Sequence, residues 1–78
     1  MTTLKTKRIS VIAENIKSYR NKMGISQDKL SKFAGITLQT ITKIESGMTL
    51  DPRIRTVRKI ANALFVSVDD LIKINKVL

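Results

Sequence analysis

The stretch Gln27–Ser46, QDKLSKFAGITLQTITKIES, decides how this chain folds. Leu30 and Ala34 stand four residues apart, the spacing of one helix face. Ser26 ahead of them is a good N-cap, and Asp28 sits favourably in the first turn. Gly35 stops that helix, and Thr37 caps the next, which turns Ile41 and Ile44 inward and ends at Gly47. Helices of about eight residues leave their mutual angle to the turn and to packing through Leu30, Ala34, Ile36, Ile41 and Ile44. A helix-turn-helix pair at ~90–120° is the predicted result.

The second helix of the pair has an informative outer face. At about 100° per residue, Ile41 and Ile44 define the inward direction. Gln39, Thr42, Lys43 and Ser46 then lie opposite, with Leu38 at the edge. Such a face suits a DNA major groove, which admits a helix and presents donors, acceptors and thymine methyls. Gln39 can pair with adenine N6/N7 and Lys43 can donate to guanine O6/N7, while Leu38 and the Thr37 methyl can pack on thymine methyls. Glu45 turns toward the core side, so no acid projects beside the phosphates. An ordinary solvated helix face would share this pattern; the preceding helix-turn and the basic charge of the chain weigh against that plainer explanation.

Outward from this segment the pattern stays helical. Ile9, Ile12, Ala13, Ile16, Tyr19 and Met23 make one stripe, closed by Gly24 at positive φ. SGMTLDP (46–52) is a turn-rich connection, and Pro52 suits the start of a fourth helix. There Val57, Ile60, Ala61 and Leu64 face inward, with Arg55, Arg58, Lys59 and Asn62 on the wet side. Ser67-Val68-Asp69-Asp70 opens a fifth helix with an acid at its third position, and Leu71, Ile72 and Ile74 carry it toward the C-terminus. No run alternates with period two, so no strand is expected. The prediction is all-α: a compact five-helix domain over 9–78 containing a helix-turn-helix. Residues 1–8 (MTTLKTKR) precede it as a basic arm, either a flexible tail or an arm that tracks phosphates or a minor groove.

Composition narrows the chemistry. The chain has 78 residues, of which 42% are apolar, enough for one small domain. It has no cysteine and no histidine, which removes disulfides, thiolate sites, the commonest general base and the commonest zinc ligand. Asp28, Asp69 and Asp70 read as helix-start acids and Tyr19 as core. A non-enzyme without metal or cofactor is expected. Fifteen Lys and Arg against six Asp and Glu give +9, so polyanions are the default partners, nucleic acid or anionic membrane. No apolar stretch approaches the ~20 residues of a spanning helix. Lys5, Lys7 and Arg8 resemble the start of a secretory signal, but Glu14, Asn15 and Lys17 interrupt the apolar residues after them. A cytoplasmic protein with no membrane partner is expected.

The pieces ENIKSYR, GISQDKLSKFAGIT, TITKIESG and RTVRKIANAL with VSVDDL are each weak signals. In this order and at these spacings, from about Ile12 to Ile72, the chain resembles the Cro and lambda-repressor type helix-turn-helix family. The resemblance implies that Gln27, opening the helix-turn-helix, holds a phosphate. It implies base reading by Thr37, Leu38, Gln39 and Lys43, with Thr42 on the same face, and a phosphate contact by Ser46. Arg53, after the loop proline, is where some phage repressors place a basic residue near the minor groove. It also implies a structural pair between Arg20 and Glu45. Three positions depart from the family. Leu38 is apolar where Gln, Arg or Ser is usual, and Ser31 replaces a small Ala and needs a hydroxyl partner. Phe65 stands where Gly is common. There it is either strained by ~1 kcal/mol or more at positive φ, or it covers the core from outside across a different turn. The loop Met48–Asp51 is less basic than in some relatives.

One helix in one groove reads only about three to five base pairs, so two copies on adjacent half-sites are expected. Val68, Leu71, Ile72, Ile74, Val77 and Leu78 form an apolar arc wider than one intrachain face requires. A homodimer through Leu71, Ile72, Ile74 and Leu78 is expected; fraying of the last residues is the plainer alternative. The function expected is a sequence-specific double-stranded DNA-binding transcriptional regulator of repressor type, reading the major groove with the helix from about 37 to 46. Two alternatives stay open: the antitoxin of a toxin–antitoxin pair, and a protein-interaction module that has lost DNA binding. Leu38 favours the last of these, and the +9 charge opposes it.

Overall fold

A computed structural model describes residues 10–74 of the chain. It contains α1 (Val11–Met23), α2 (Gln27–Ala34), α3 (Leu38–Glu45), α4 (Ile54–Leu64) and α5 (Val68–Ile72), and no strand among the described residues. The arm 1–8, Ile9, Val77 and Leu78 lie outside the described residues.

Local chemistry sets the helix limits. Ser10, Ser26 and Thr37 have extended backbones, and each side chain accepts from an N–H three residues on, which removes one orphan donor from α1, α2 and α3. Gly24 and Gly35 close α1 and α2 in the left-handed region, at φ 69° and 71°, where only glycine is free of Cβ strain. Pro52 does not itself start α4. It precedes the N-cap Arg53, which makes no side-chain cap bond. α5 carries a full capping box: the Ser67 hydroxyl accepts from the Asp70 N–H and the Asp70 carboxylate accepts from the Ser67 N–H, both at 3.0 Å.

α5 is shorter than the apolar spacing suggests. It ends at Ile72 because Lys73 turns extended, at φ −87° and ψ 152°. Asn15, buried on α1, donates from Nδ2 to the Leu71 and Lys73 carbonyls at 2.8 and 2.9 Å. Those bonds supply what further helix would have supplied, so Ile74 lies past the helix rather than on it.

Every helix contributes to one core. Ile16, Leu30, Ile41, Ile44, Ile60 and Leu71 are its fully buried large side chains. Each is worth ~1.5–3 kcal/mol relative to exposure. Leu71 therefore corrects the expected dimer joint: it is spent inside its own chain, because α5 packs back on α1 and α4. Ile72 and Ile74 remain exposed, at 48% and 69%. Met23, placed by spacing on the inner stripe, is also exposed, since the last turn of α1 runs past the core. Ser31 is buried, and its hydroxyl donates to the Asp28 carbonyl at 2.7 Å, the partner this position needs. Phe65 adopts φ 60° and ψ 39° as the C-cap of α4, with 85% of its surface exposed. The covering alternative is thus overturned: the backbone takes the left-handed turn and the ring points to solvent.

Candidate nucleic-acid interface

The position of α3 is set by a junction behind it. Arg20 donates from Nε to Glu45 Oε2 at 2.7 Å and from Nη2 to Oε1 at 2.9 Å, a two-bond fork. Its Nη1 donates to the Ile25 carbonyl in the α1–α2 turn at 3.0 Å. Gln27 Nε2 adds a bond to Glu45 Oε1 at 2.9 Å. One carboxylate, 4% exposed, therefore joins α1, α2 and α3. The Arg20 guanidinium is held above its ordinary pKa, first by the hydrogen bond to Glu45 and then by its charge, against the opposing effect of burial.

The junction also gives Gln27 a definite orientation. With Nε2 on Glu45, its Oε1 faces the Thr42 hydroxyl at 3.4 Å. The amide expected to hold a phosphate is thus tied to the helix expected to read bases. Glu45 lies inward, as its place beside Ile44 and Ile41 dictates, and leaves the outer face of α3 free of acid.

On that outer face the side chains divide into two groups. Four hydroxyls are engaged within the chain. Thr37 Oγ1 accepts from the Thr40 N–H at 3.2 Å and pairs with Thr40 Oγ1 at 2.8 Å. Thr42 donates to the Leu38 carbonyl at 3.0 Å. Ser46 donates to the Lys43 carbonyl and accepts from the Met48 N–H, at 3.0 and 3.3 Å, closing the turn after α3. Gln39, Lys43 and Leu38 are exposed, and neither polar tip is bonded among the described residues. They stand one turn apart on a rigid helix, which suits groove insertion.

Arg53 lies close to this face in space. It lines a shallow cleft of about 200 Å³ together with Thr40, Lys43, Thr49 and Thr56. The structure therefore brings Lys43 and Arg53 together, from α3 and from the residue that caps α4. Nothing in the sequence singles out Thr40 and Thr56; they line this cleft because the connection after α3 brings Arg53 and the first turn of α4 back beside it. Among the described residues no group of three Asp or Glu side chains gathers at metal-ligand distance, and no helix is long and apolar enough to cross a membrane.

Fold and face together define a small helix-turn-helix domain that presents an acid-free, partly cationic helix face. The chain belongs to the helix-turn-helix family of the Cro/C1 type, whose sequence pattern matches it over residues 16–71. It is 38% identical over 63 residues to the SPbeta prophage-derived uncharacterized HTH-type transcriptional regulator YonR of Bacillus subtilis, covering 81% of this chain and 57% of that protein. It is 32% identical over 62 residues to the HTH-type transcriptional regulator SinR of Bacillus subtilis and of Bacillus licheniformis, covering 80% of this chain and 56% of each. The chain thus spans a little over half the length of these curated relatives. No solved structure matches it.

Proposed function

We propose that the chain is a sequence-specific double-stranded DNA-binding transcriptional regulator, a repressor that acts by binding and not by catalysis, in the cytoplasm. The observation that carries this reading is the division of labour on α3. Glu45 is withdrawn into the junction with Arg20, while Gln39 and Lys43 extend unbonded on the opposite face. The relatives named as transcriptional regulators support it. Gln39, Lys43 and Leu38 read base edges, with the Thr37 methyl beside them. Gln27, Thr42, Ser46 and Arg53 serve backbone contact and register. Because Thr42 and Ser46 spend their hydroxyl hydrogens on carbonyls, their share is as acceptors and spacers, and the phosphate donors are Gln27 and Arg53. Two copies bind adjacent half-sites, joined through the exposed Ile72 and Ile74 together with Leu78. Selection from random duplex DNA, followed by a salt titration of the winner, tests the function. A single enriched motif with steep salt dependence supports it. Enrichment of no motif, with affinity equal on all duplexes, refutes it.

A further inference from the structure

A second surface lies on α2 and α4, away from the outer face of α3. Phe33 and Phe65 line a groove of about 450 Å³ with Asn62 and Ala63. Both rings are exposed, Phe33 at 56%. Phe65 is the only non-glycine residue with positive φ among the described residues. Its left-handed turn closes α4, with the Phe65 and Val66 N–H groups donating to the Asn62 and Ala61 carbonyls at 3.2 and 3.0 Å, but its ring gains no burial against the described residues.

The groove continues into a cationic cleft. Asn62 also lines a space of about 420 Å³ with Arg55, Arg58 and Lys59. None of these three cations forms an ion pair among the described residues. Lys29 Nζ sits 5.9 Å from the Phe33 ring centre. The apolar groove is therefore flanked by positive charge.

We infer that the Phe33–Phe65 groove, with Arg55, Arg58 and Lys59 beside it, is a docking surface for an acidic amphipathic segment of another protein. The rings take the apolar side chains of that segment and the cations take its carboxylates, as in helix-in-groove recognition. Charge complementarity selects this occupant. A second copy on a twofold axis would set the same three cations against themselves. A duplex would meet the cations but gain nothing from two phenyl rings.

The test uses two dye-labelled peptides of identical Glu and Leu content, one with its leucines on a single helix face and one with them scattered. The facially amphipathic peptide binds the full chain, and the scattered one binds about ten-fold more weakly or worse. Phe65→Gly weakens the first peptide about ten-fold, and so does the double reversal Arg58→Glu with Lys59→Glu. Glycine is the residue that the left-handed position favours, so Phe65→Gly melts no lower than the parent chain and misfolding cannot explain its loss. Phe65→Ala, which keeps the strain and removes the ring, shows the same loss. Equal binding of both peptides, or unchanged binding by Phe65→Gly, overturns the inference. So does dissociation of a dimer by Phe65→Gly, which would assign the groove to a second copy. Loss of selected-duplex binding by Phe65→Gly would assign it to DNA. The peptide readout contains no DNA, so it stands or falls apart from the function proposed above.

Discussion

Arg20 and Glu45, on α1 and α3, meet in a fork of two hydrogen bonds at 2.7 and 2.9 Å. The carboxylate also accepts from Gln27 at the start of α2. Three helices are thereby keyed to one buried acid, and the direction in which α3 presents Gln39 and Lys43 is set by it.

Removing one side of this pair should cost far more than removing both. Arg20→Ala leaves the Glu45 carboxylate buried and short of partners, a loss of ~3–5 kcal/mol. Replacing both by apolar residues of similar size should cost much less than the sum of the single changes. Urea denaturation of the two single variants and the double variant measures the coupling. Additive losses would show that the pair is not a unit.

Gln39 and Arg53 should fail in different ways. Gln39→Ala loses about 1–3 kcal/mol on the selected site and relaxes preference at one base position, because a bidentate base contact disappears. Arg53→Ala weakens binding on all duplexes alike and lowers the slope of log affinity against log salt by about one. Titrations of both variants on the selected and on a shuffled duplex separate the roles. Loss of base preference with Arg53→Ala would reverse them.

Asn15 should matter to the end of the fold rather than to its middle. Asn15→Ala removes two donors from the Leu71 and Lys73 carbonyls, an expected loss of about 1–3 kcal/mol. Hydrogen exchange should accelerate first in α5. Uniform acceleration across all helices, with α5 no faster than α2, would count against the clamp.

Asp70 couples α5 to pH. Its carboxyl is held below its ordinary value, first by the Ser67 N–H and then by the Ser67 side chain, with Lys73 Nζ at 3.5 Å adding to it. A depressed folded pKa contributes stability above the unfolded pKa, which is lost as pH falls through the folded one. Asp70→Asn should therefore show a smaller loss of melting temperature than the parent chain between neutral pH and about pH 3. Identical pH profiles for the two proteins would remove Asp70 from the acid response.

The proposed dimer joint rests on fewer residues than the spacing suggests, since Leu71 is buried in its own chain. Ile72→Asp with Ile74→Asp should shift the chain toward monomer in sedimentation equilibrium and leave its helix content intact. Leu71→Asp should unfold it, because that side chain is buried in the core. A parent chain that sediments as a monomer at every concentration would dismiss the joint.

Much of the fold is legible from local chemistry. Caps, left-handed glycines and apolar spacing act within three or four residues, so Ser26, Thr37, Gly24, Gly35 and the inward stripes of α2, α3 and α4 can be placed from the chain alone. The same spacing puts Glu45 inward and Gln39 and Lys43 outward. Other features depend on which elements come together. Leu71 and Ile72 are adjacent apolar residues, and only the packing of α5 on α1 buries one and leaves the other out. Asn15 stops α5 across more than fifty positions of chain, which no local signal records. The groove between Phe33 and Phe65 exists because α2 lies against α4. Short-range hydrogen bonding and helical period are properties of neighbours in sequence, whereas partners, clefts and the final burial of each apolar side chain are properties of neighbours in space.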